Sequence, residues 1–310
     1  LAPMEGLTSY IFRNAYSKYY GGIDAYYTPF ISLHHNKAFN SKELRELAPE
    51  NNSGIHLIPQ VLTNSAADFL EAEPIFLEMG YDHINLNFGC PSATVTSKNK
   101  GSGILRDPEH MDRFLDEIFR KSSLKISVKT RLGFDRSEEW EPIFRIYAQY
   151  PLEALIVHPR LRNDFYDGIP DLMTFSCIYE TARSPLFYNG DIFTVEKLKD
   201  LEATYPQLSG IMLGRGLLAF PDLLSAAKGH PVDLPREQAF HDEILSCYIA
   251  RDMGDEPVLR RMKEWWFYLS WALEIPPKLE KQLKKARTCR EFKVVTDQIF
   301  RSAIPREIRR

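Results

Sequence analysis

Between residues 1 and 214 strand-like runs alternate with amphipathic, helix-length segments. The strand-like runs close on residues able to hold a cofactor or do chemistry: Met4, Phe30, Gln60, Asn87, Lys129, His158, Asn189 and Gly214-Arg215. Eight strand-then-helix units in series point to an α/β fold, a (β/α)8 TIM barrel, with its active site at the carboxyl ends of the strands. Strands serving only a core would end in turn residues of mixed type. The arrangement reads as an enzyme.

The runs at 24–28, 56–60, 83–87, 125–129, 154–158, 186–189 and 210–213 are mostly apolar, as expected for parallel strands covered by helices. Residues 1–4 form the tail of the first strand, as if the natural start lay upstream. Helical spacing marks 65–79, 108–121 and 194–204, with Ser65 and Thr194 as N-caps and Pro108 in a first turn. The Pro/Gly-dense segment 229–235 reads as a linker, followed by helix throughout 236–301 with no strand pattern. The expected organisation is a catalytic barrel over 1–230 and a small all-α domain over 236–310.

No run approaches the roughly 18 apolar residues of a membrane span. The four cysteines, Cys90, Cys177, Cys247 and Cys289, form no C-x-x-C pair. That argues against a metal site or disulfide framework and for a reducing cytoplasm. Charge is unevenly distributed: residues 260–310 hold 14 Lys+Arg against 6 Asp+Glu, leaving 25 against 36 before them. An acidic barrel joined to a basic tail suggests a polyanionic partner for the tail.

The segment Asn85-Leu-Asn-Phe-Gly-Cys-Pro-Ser-Ala-Thr-Val95 carries the most specific signal. A cysteine between Gly89 and Pro91, just past a barrel strand, sits on a tight turn over the barrel mouth. Cys90 therefore reads as reactive rather than as an inert buried thiol. With Ala2-Pro-Met-Glu-Gly6, Val128-Lys-Thr-Arg-Leu-Gly133, His158-Pro-Arg160, Asn189-Gly-Asp191 and Met212-Leu-Gly-Arg-Gly216, the segment resembles the flavin-dependent tRNA-dihydrouridine synthases, in the family's order and spacing. Two positions depart from the common wording: Phe88 replaces a frequent Met or smaller residue, and Pro159 interrupts His-Gly-Arg. Ala-Pro-Met-Glu-Gly, with Cys-Pro-Ser-x-Thr-Val, looks most like the bacterial subfamily acting on uridine 16 of the D-loop.

The resemblance implies FMN as prosthetic group and NADPH as electron donor. Pro3 and Met4 would meet the isoalloxazine ring, Gln60 and Lys129 its polar edge, and His158 the ring or phosphate. Asn189, Gly190, Asp191, Gly214 and Arg215 follow strands seven and eight, where barrels recurrently bind phosphate. A uridine flipped out of tRNA would accept hydride on one ring carbon and a proton from Cys90 on the next. An ordinary thiol, with a pKa of about 8.5, keeps that proton at neutral pH. Asn87, Lys98, Lys100 and Arg160 would contact the substrate, and the loop 92–103 would close over it.

In the tail, Arg260-Arg-Met-Lys-Glu-Trp-Trp-Phe-Tyr-Leu-Ser-Trp271 pairs cations with aromatics. Trp265, Phe267 or Leu269 are expected to pack, with Arg260, Arg261 and Lys263 facing solvent or RNA. Lys281, Lys284, Lys285 and Arg287 extend the basic stripe, a surface suited to the shape and backbone charge of RNA. The expected protein is a cytoplasmic monomer that binds tRNA and no membrane. Three other readings stay open: an FMN barrel acting on a small molecule, a tRNA-binding protein without catalysis, and an aldolase using Lys129.

Overall fold

The computed structural model describes residues 1–33 and 39–308, which form two compact units. The first comprises Leu1–Pro3, Ala25–Gly190 and Tyr205–Met212; the second comprises Met4–Asp24, Asp191–Thr204 and Leu213–Arg310.

In the first unit the strands are β1 (Tyr26–Tyr27), β2 (Ile31–Ser32), β3 (Leu57–Ile58), β4 (Gln60–Leu62), β5 (His83–Phe88), β6 (Lys125–Gly133), β7 (Ala154–Leu161), β8 (Leu186–Tyr188) and β9 (Gly210–Ile211). β2, β4, β5, β6, β7, β8 and β9 are neighbours in that order, every pair parallel, and β1 pairs with β3. β1/β2 and β3/β4 are each one barrel strand interrupted by a proline, Pro29 and Pro59, which has no N–H for the ladder. Leu1 supplies the first strand's pairing: its backbone nitrogen donates to Ala25 O (2.7 Å) and its carbonyl accepts Tyr27 N–H (3.2 Å). Ala2, Tyr27, Ile58, Ile156 and Met212 pack together in the interior, joining the first turn of strands to the last. The chain is a (β/α)8 TIM barrel followed by a helical region.

Local chemistry sets the barrel helices. Ser65 Oγ accepts Asp68 N–H at 3.1 Å to open helix Ala66–Glu78. Asp107 Oδ1 accepts His110 N–H at 2.9 Å to open Pro108–Lys121, with Pro108 in the first turn. Met111, Phe114, Leu115 and Ile118 form the buried stripe of that helix, and exposed i,i+4 ion pairs Arg120–Asp116 and Lys121–Glu117 cover its other face.

The second unit holds helices Tyr10–Tyr19, Val195–Thr204, Leu234–Ala250, Asp255–Leu269, Pro277–Lys285 and Cys289–Ser302. Phe12 meets Phe240 and Trp265 edge-on, at ring separations of 5.3 and 5.5 Å, and Trp265 Nε1 donates to Leu218 O at 3.1 Å. Thr194 caps Val195–Thr204 as expected, accepting Lys197 N–H at 3.1 Å. The tail is not helical throughout: Leu273–Glu274 pairs antiparallel with Ile304–Pro305. Helix Leu234–Ala250 also starts inside the expected linker, because Asp233 caps it and accepts Arg236 N–H at 2.9 Å. No helix among the described residues is long and apolar enough to cross a membrane.

Candidate active site

Period-two alternation puts His83, Asn85 and Asn87 of β5 on one face, and Ser127, Lys129 and Arg131 of β6 likewise. The parallel register sets Gln60 beside Asn85, Asn85 beside Ser127, and Asn87 beside Lys129. Gln60, Asn85, Asn87 and Ser127 are all buried, so each polar group needs a partner. They supply one another in a single relay. Asn85 Nδ2 donates to Ser127 Oγ (2.9 Å), Gln60 Nε2 to Asn85 Oδ1 (2.8 Å) and Asn87 Nδ2 to Gln60 Oε1 (2.8 Å). Ser127 Oγ also lies 2.7 Å from His83 Nε2. Burial, reinforced by His56, pulls His83 down to about 4, so its neutral ring can accept the serine proton.

The relay ends on the cysteine turn. Asn87 Oδ1 accepts the backbone N–H groups of Gly89 (3.1 Å) and Cys90 (2.9 Å), and Arg131 Nε donates to Gly89 O (2.9 Å). Cys90 O accepts both the backbone N–H (3.1 Å) and the hydroxyl (2.9 Å) of Ser102. Gly101, at φ +57°, lies so close that a Cβ there would sit 2.8 Å from Cys90 O. The loop 92–103, expected as a lid, is therefore a buttress packed against the turn, with Gly101, Ser102 and Gly103 buried. Lys100 is likewise not a free substrate contact: its ammonium donates to Leu33 O at 2.9 Å, and burial lowers its pKa. Lys98 is exposed, and its carbonyl accepts Asn64 Nδ2 at 3.1 Å.

Lys129 is half-buried, and among the described residues nothing accepts a hydrogen bond from its ammonium. Burial first, then the Arg131 guanidinium, lower its pKa to about 7, with Cys90 acting in the opposite direction. β6 and β7 run beyond the expected ends at Lys129 and His158, so Arg131 and Arg160 are strand residues. Arg131 escaped the sequence reading, although its period-two spacing from Lys129 was the available signal. Arg160, expected to touch RNA, is instead buried. It donates to Asp167 O (3.0 Å), Gly168 O (2.6 Å) and His158 Nε2 (2.9 Å), bracing the loop that Pro159 leads into. A guanidinium only donates, so His158 presents the lone pair of Nε2 to Arg160 and carries its proton on Nδ1. Asn189 Nδ2 donates to Met212 O at 2.8 Å, and a Cβ on Gly190 would approach Tyr188 Oη at 3.2 Å.

Within the second unit, Arg215 pairs with Asp191 and lies 5.6 Å over the Phe193 ring. Gly214 caps the short helix Arg215–Ala219. Met4 O accepts the N–H groups of Leu7 and Thr8, both at 3.0 Å. Arg260 is exposed, whereas Arg261 donates to Gly6 O (3.3 Å) and Lys263 to Lys284 O (3.0 Å) and Ala286 O (2.6 Å). Those two cations serve internal carbonyls rather than facing solvent. Trp265 and Leu269 are buried as expected, but Phe267 is exposed. Lys281, Lys284, Lys285 and Arg287 are all exposed, Lys284 pairing with Glu280 four residues before it. No metal-binding group of His, Cys, Asp and Glu occurs among the described residues.

Several known proteins are similar to this chain. The chain is 31% identical over 234 residues to tRNA-dihydrouridine(16) synthase of Pseudomonas putida, covering 72% of this chain and 71% of that one. It is 29% identical over 290 residues to the enzyme of the same name from Pseudomonas syringae pv. tomato, covering 87% and 89%. It is 28% identical over 222 residues to tRNA-dihydrouridine synthase B of Pasteurella multocida, covering 71% of this chain and 66% of that one. In fold it is similar to histamine dehydrogenase from Rhizobium sp. 4-9 (TM-score 0.55, 12% identity, 74% of this chain and 45% of that one). It is similar also to an old yellow enzyme homologue from Zymomonas mobilis (TM-score 0.53, 12% identity, 75% and 85%). The dihydrouridine synthase (Dus) family model matches residues 1–298, and the chain thus belongs to that family of oxidoreductases.

Proposed function

We propose that this dihydrouridine synthase carries FMN, draws electrons from NADPH, and reduces a uridine of the tRNA D-loop, that at position 16, to 5,6-dihydrouridine. The observation that carries the reading is one rung of the β5–β6 ladder: Asn87, which holds the turn of Cys90, stands beside Lys129, whose ammonium has no acceptor. A half-buried lysine without a partner fits the electron-rich polar edge of a flavin. His158 and Gln60, expected at the same cofactor, would add N–H donors, Gln60 through the amide hydrogen it does not give to Asn85. When bound, FMN would supply the hydride.

This chain's own residues would do the rest. Lys129 would hold negative charge at the ring edge, tuning the cofactor as protein groups do. Cys90 would hold a proton on Sγ and deliver it to the uracil carbon beside the reduced one. Asn87, Arg131 and Ser102 fix the backbone on which that thiol is carried, so proton delivery starts from a set position. The exposed cations of the tail, with no sequence to read, would engage phosphate.

The test is to purify the protein, identify the flavin released on denaturation, and map dihydrouridine in tRNA from cells lacking the gene. The expected results are FMN and loss of the modification at uridine 16, restored by the wild-type gene. Cys90→Ala should keep FMN and tRNA binding and lose about 100- to 10,000-fold in turnover. A colourless protein, or a full tRNA complement of dihydrouridine in the deletion strain, would overturn the reading.

A further inference from the structure

Glu237 lies in the first turn of helix Leu234–Ala250, where an acid ordinarily faces solvent and favours the helix dipole. Here it is 2% exposed, its Oε1 has no partner, and no described residue donates a hydrogen bond to its carboxyl group. The guanidinium next to it in the chain is engaged elsewhere: Arg236 pairs with Asp222, whose second oxygen accepts Asp233 N–H at 3.3 Å. Tyr20, half-buried and with its enclosed hydroxyl unpartnered, lies under Arg236, 4.8 Å from guanidinium to ring. Glu237 thus faces acidic and phenolic neighbours and no available cation.

The same residue lines a cavity of about 380 Å³ contained within the second unit. Its apolar walls include Phe193, Phe220, Val232, Leu273 and Ile308. Its charged lining is Glu196, Glu237 and Glu307 against Arg306 alone. That arginine is already held, donating to the carbonyls of Trp271 and Ser270, both at 3.0 Å. An enclosed carboxyl without a partner, apolar walls and an excess of acid together describe a receptor for an amine.

We infer that this cavity is a second ligand site, taking a small organic ammonium whose charged head meets Glu237 and whose apolar body lies against Phe193 and Phe220. Burial, with Asp222 adding to it, pushes Glu237 up to about 8, so it is largely protonated at neutral pH. A bound cation reverses that preference, and amine binding is therefore linked to proton release. Aromatic walls add attraction for the charge. The site shares none of its lining residues with those expected to hold the flavin, although Arg215 of that set lies over Phe193, and the inference does not depend on the flavin reading.

The experiment is calorimetric titration of the full-length flavoprotein with phenethylamine at pH 7, in two buffers of different ionisation enthalpy. Saturable binding is expected, with release of about one proton per amine. Glu237→Gln, which keeps the shape, should weaken binding about 10-fold or more and abolish the release. Neutral 2-phenylethanol and anionic phenylacetate should bind at least about 10-fold more weakly than the amine. Absence of binding, binding without proton release, unchanged affinity in the variant, or equal affinity for either control overturns the proposal. If Glu237→Gln does not fold, proton release by the wild type decides alone.

Discussion

The side-chain carbonyl of Asn87 accepts the backbone N–H of Cys90 at 2.9 Å, while its amide donates to Gln60 at 2.8 Å. One residue therefore ties the cysteine turn to a buried relay that continues through Asn85 and Ser127 to His83. Each amide in that relay is fixed by its neighbour, so a change at one end is felt at the other.

Asn87→Ala should accordingly cost about 1–3 kcal/mol, since it leaves Gln60 Oε1 and two turn N–H groups without their partner. Urea denaturation measures that loss. Dihydrouridine formation should fall more than FMN content, because the turn loses two hydrogen bonds while the flavin edge, at Gln60, loses one. Unchanged stability and rate would mean that Arg131 and Ser102 hold the turn by themselves.

Lys129 gives a pH signature. Its folded pKa of about 7 lies below the ordinary 10.5, so between those values the unfolded chain binds more protons and stability rises with pH. The destabilisation is fully present below about pH 7 and is relieved by about pH 10.5. Glu237 acts oppositely: its raised pKa makes stability fall from its ordinary 4.5 up to about 8. The difference between wild type and Lys129→Met isolates the lysine. In flavin-free protein that difference should shrink steadily from pH 7 to pH 10 as the wild type gains stability. A constant difference across the range would refute a depressed lysine. Lys129→Ala should also retain FMN less well, read as flavin absorbance per protein after gel filtration.

The barrel and its cysteine turn were legible because each rests on local pattern. Short apolar runs, N-caps at Ser65 and Thr194, and the Gly-Cys-Pro turn all express themselves within a few residues of sequence. What was not legible depends on side chains reaching across strands. β6 continues to Gly133 because Arg131 bonds Gly89 O (2.9 Å) and Leu161 O (2.8 Å), and neither partner is near it in sequence. Arg160 and Lys100 read as RNA contacts because a cation at a barrel mouth usually faces solvent; each is held instead by backbone carbonyls, Arg160 by the loop that follows it and Lys100 by distant Leu33. Nothing in the local sequence singles out Glu237, and only the packing of the tail shows it enclosed.

Gly216 is required by close approach rather than by backbone conformation. A Cβ there would lie 1.8 Å from Ile192 O, a backbone atom that cannot rotate away. Gly216→Ala should destabilise by about 3 kcal/mol or more, as severe overpacking does. The turn bearing Asp191 and the helix bearing Arg215 would have to separate, so FMN content should drop with it. Thermal unfolding and flavin absorbance measure both effects. A melting temperature within a degree or so of wild type would contradict the packing.

The tail's cations divide into held and available ones, and that division predicts which of them RNA uses. Arg261 and Lys263 serve internal carbonyls, and Lys284 is paired with Glu280. Lys278, Lys281 and Lys285 line one groove along helix Pro277–Lys285, and all three are exposed. Each lysine that neutralises a phosphate adds roughly 0.7 to 0.9 to the slope of log affinity against log salt. Changing Lys278, Lys281 and Lys285 together to Gln should therefore flatten that slope for tRNA by about two units. Lys263→Gln, by contrast, should leave the slope unchanged and lower thermal stability, because it uncaps the end of Pro277–Lys285. FMN content should stay normal in the triple variant, since none of the three lysines is among the residues expected to hold the flavin. The measurement is tRNA binding across a salt series for wild type and both variants. A slope that falls in Lys263→Gln but not in the triple variant would reverse the assignment of held and available charge.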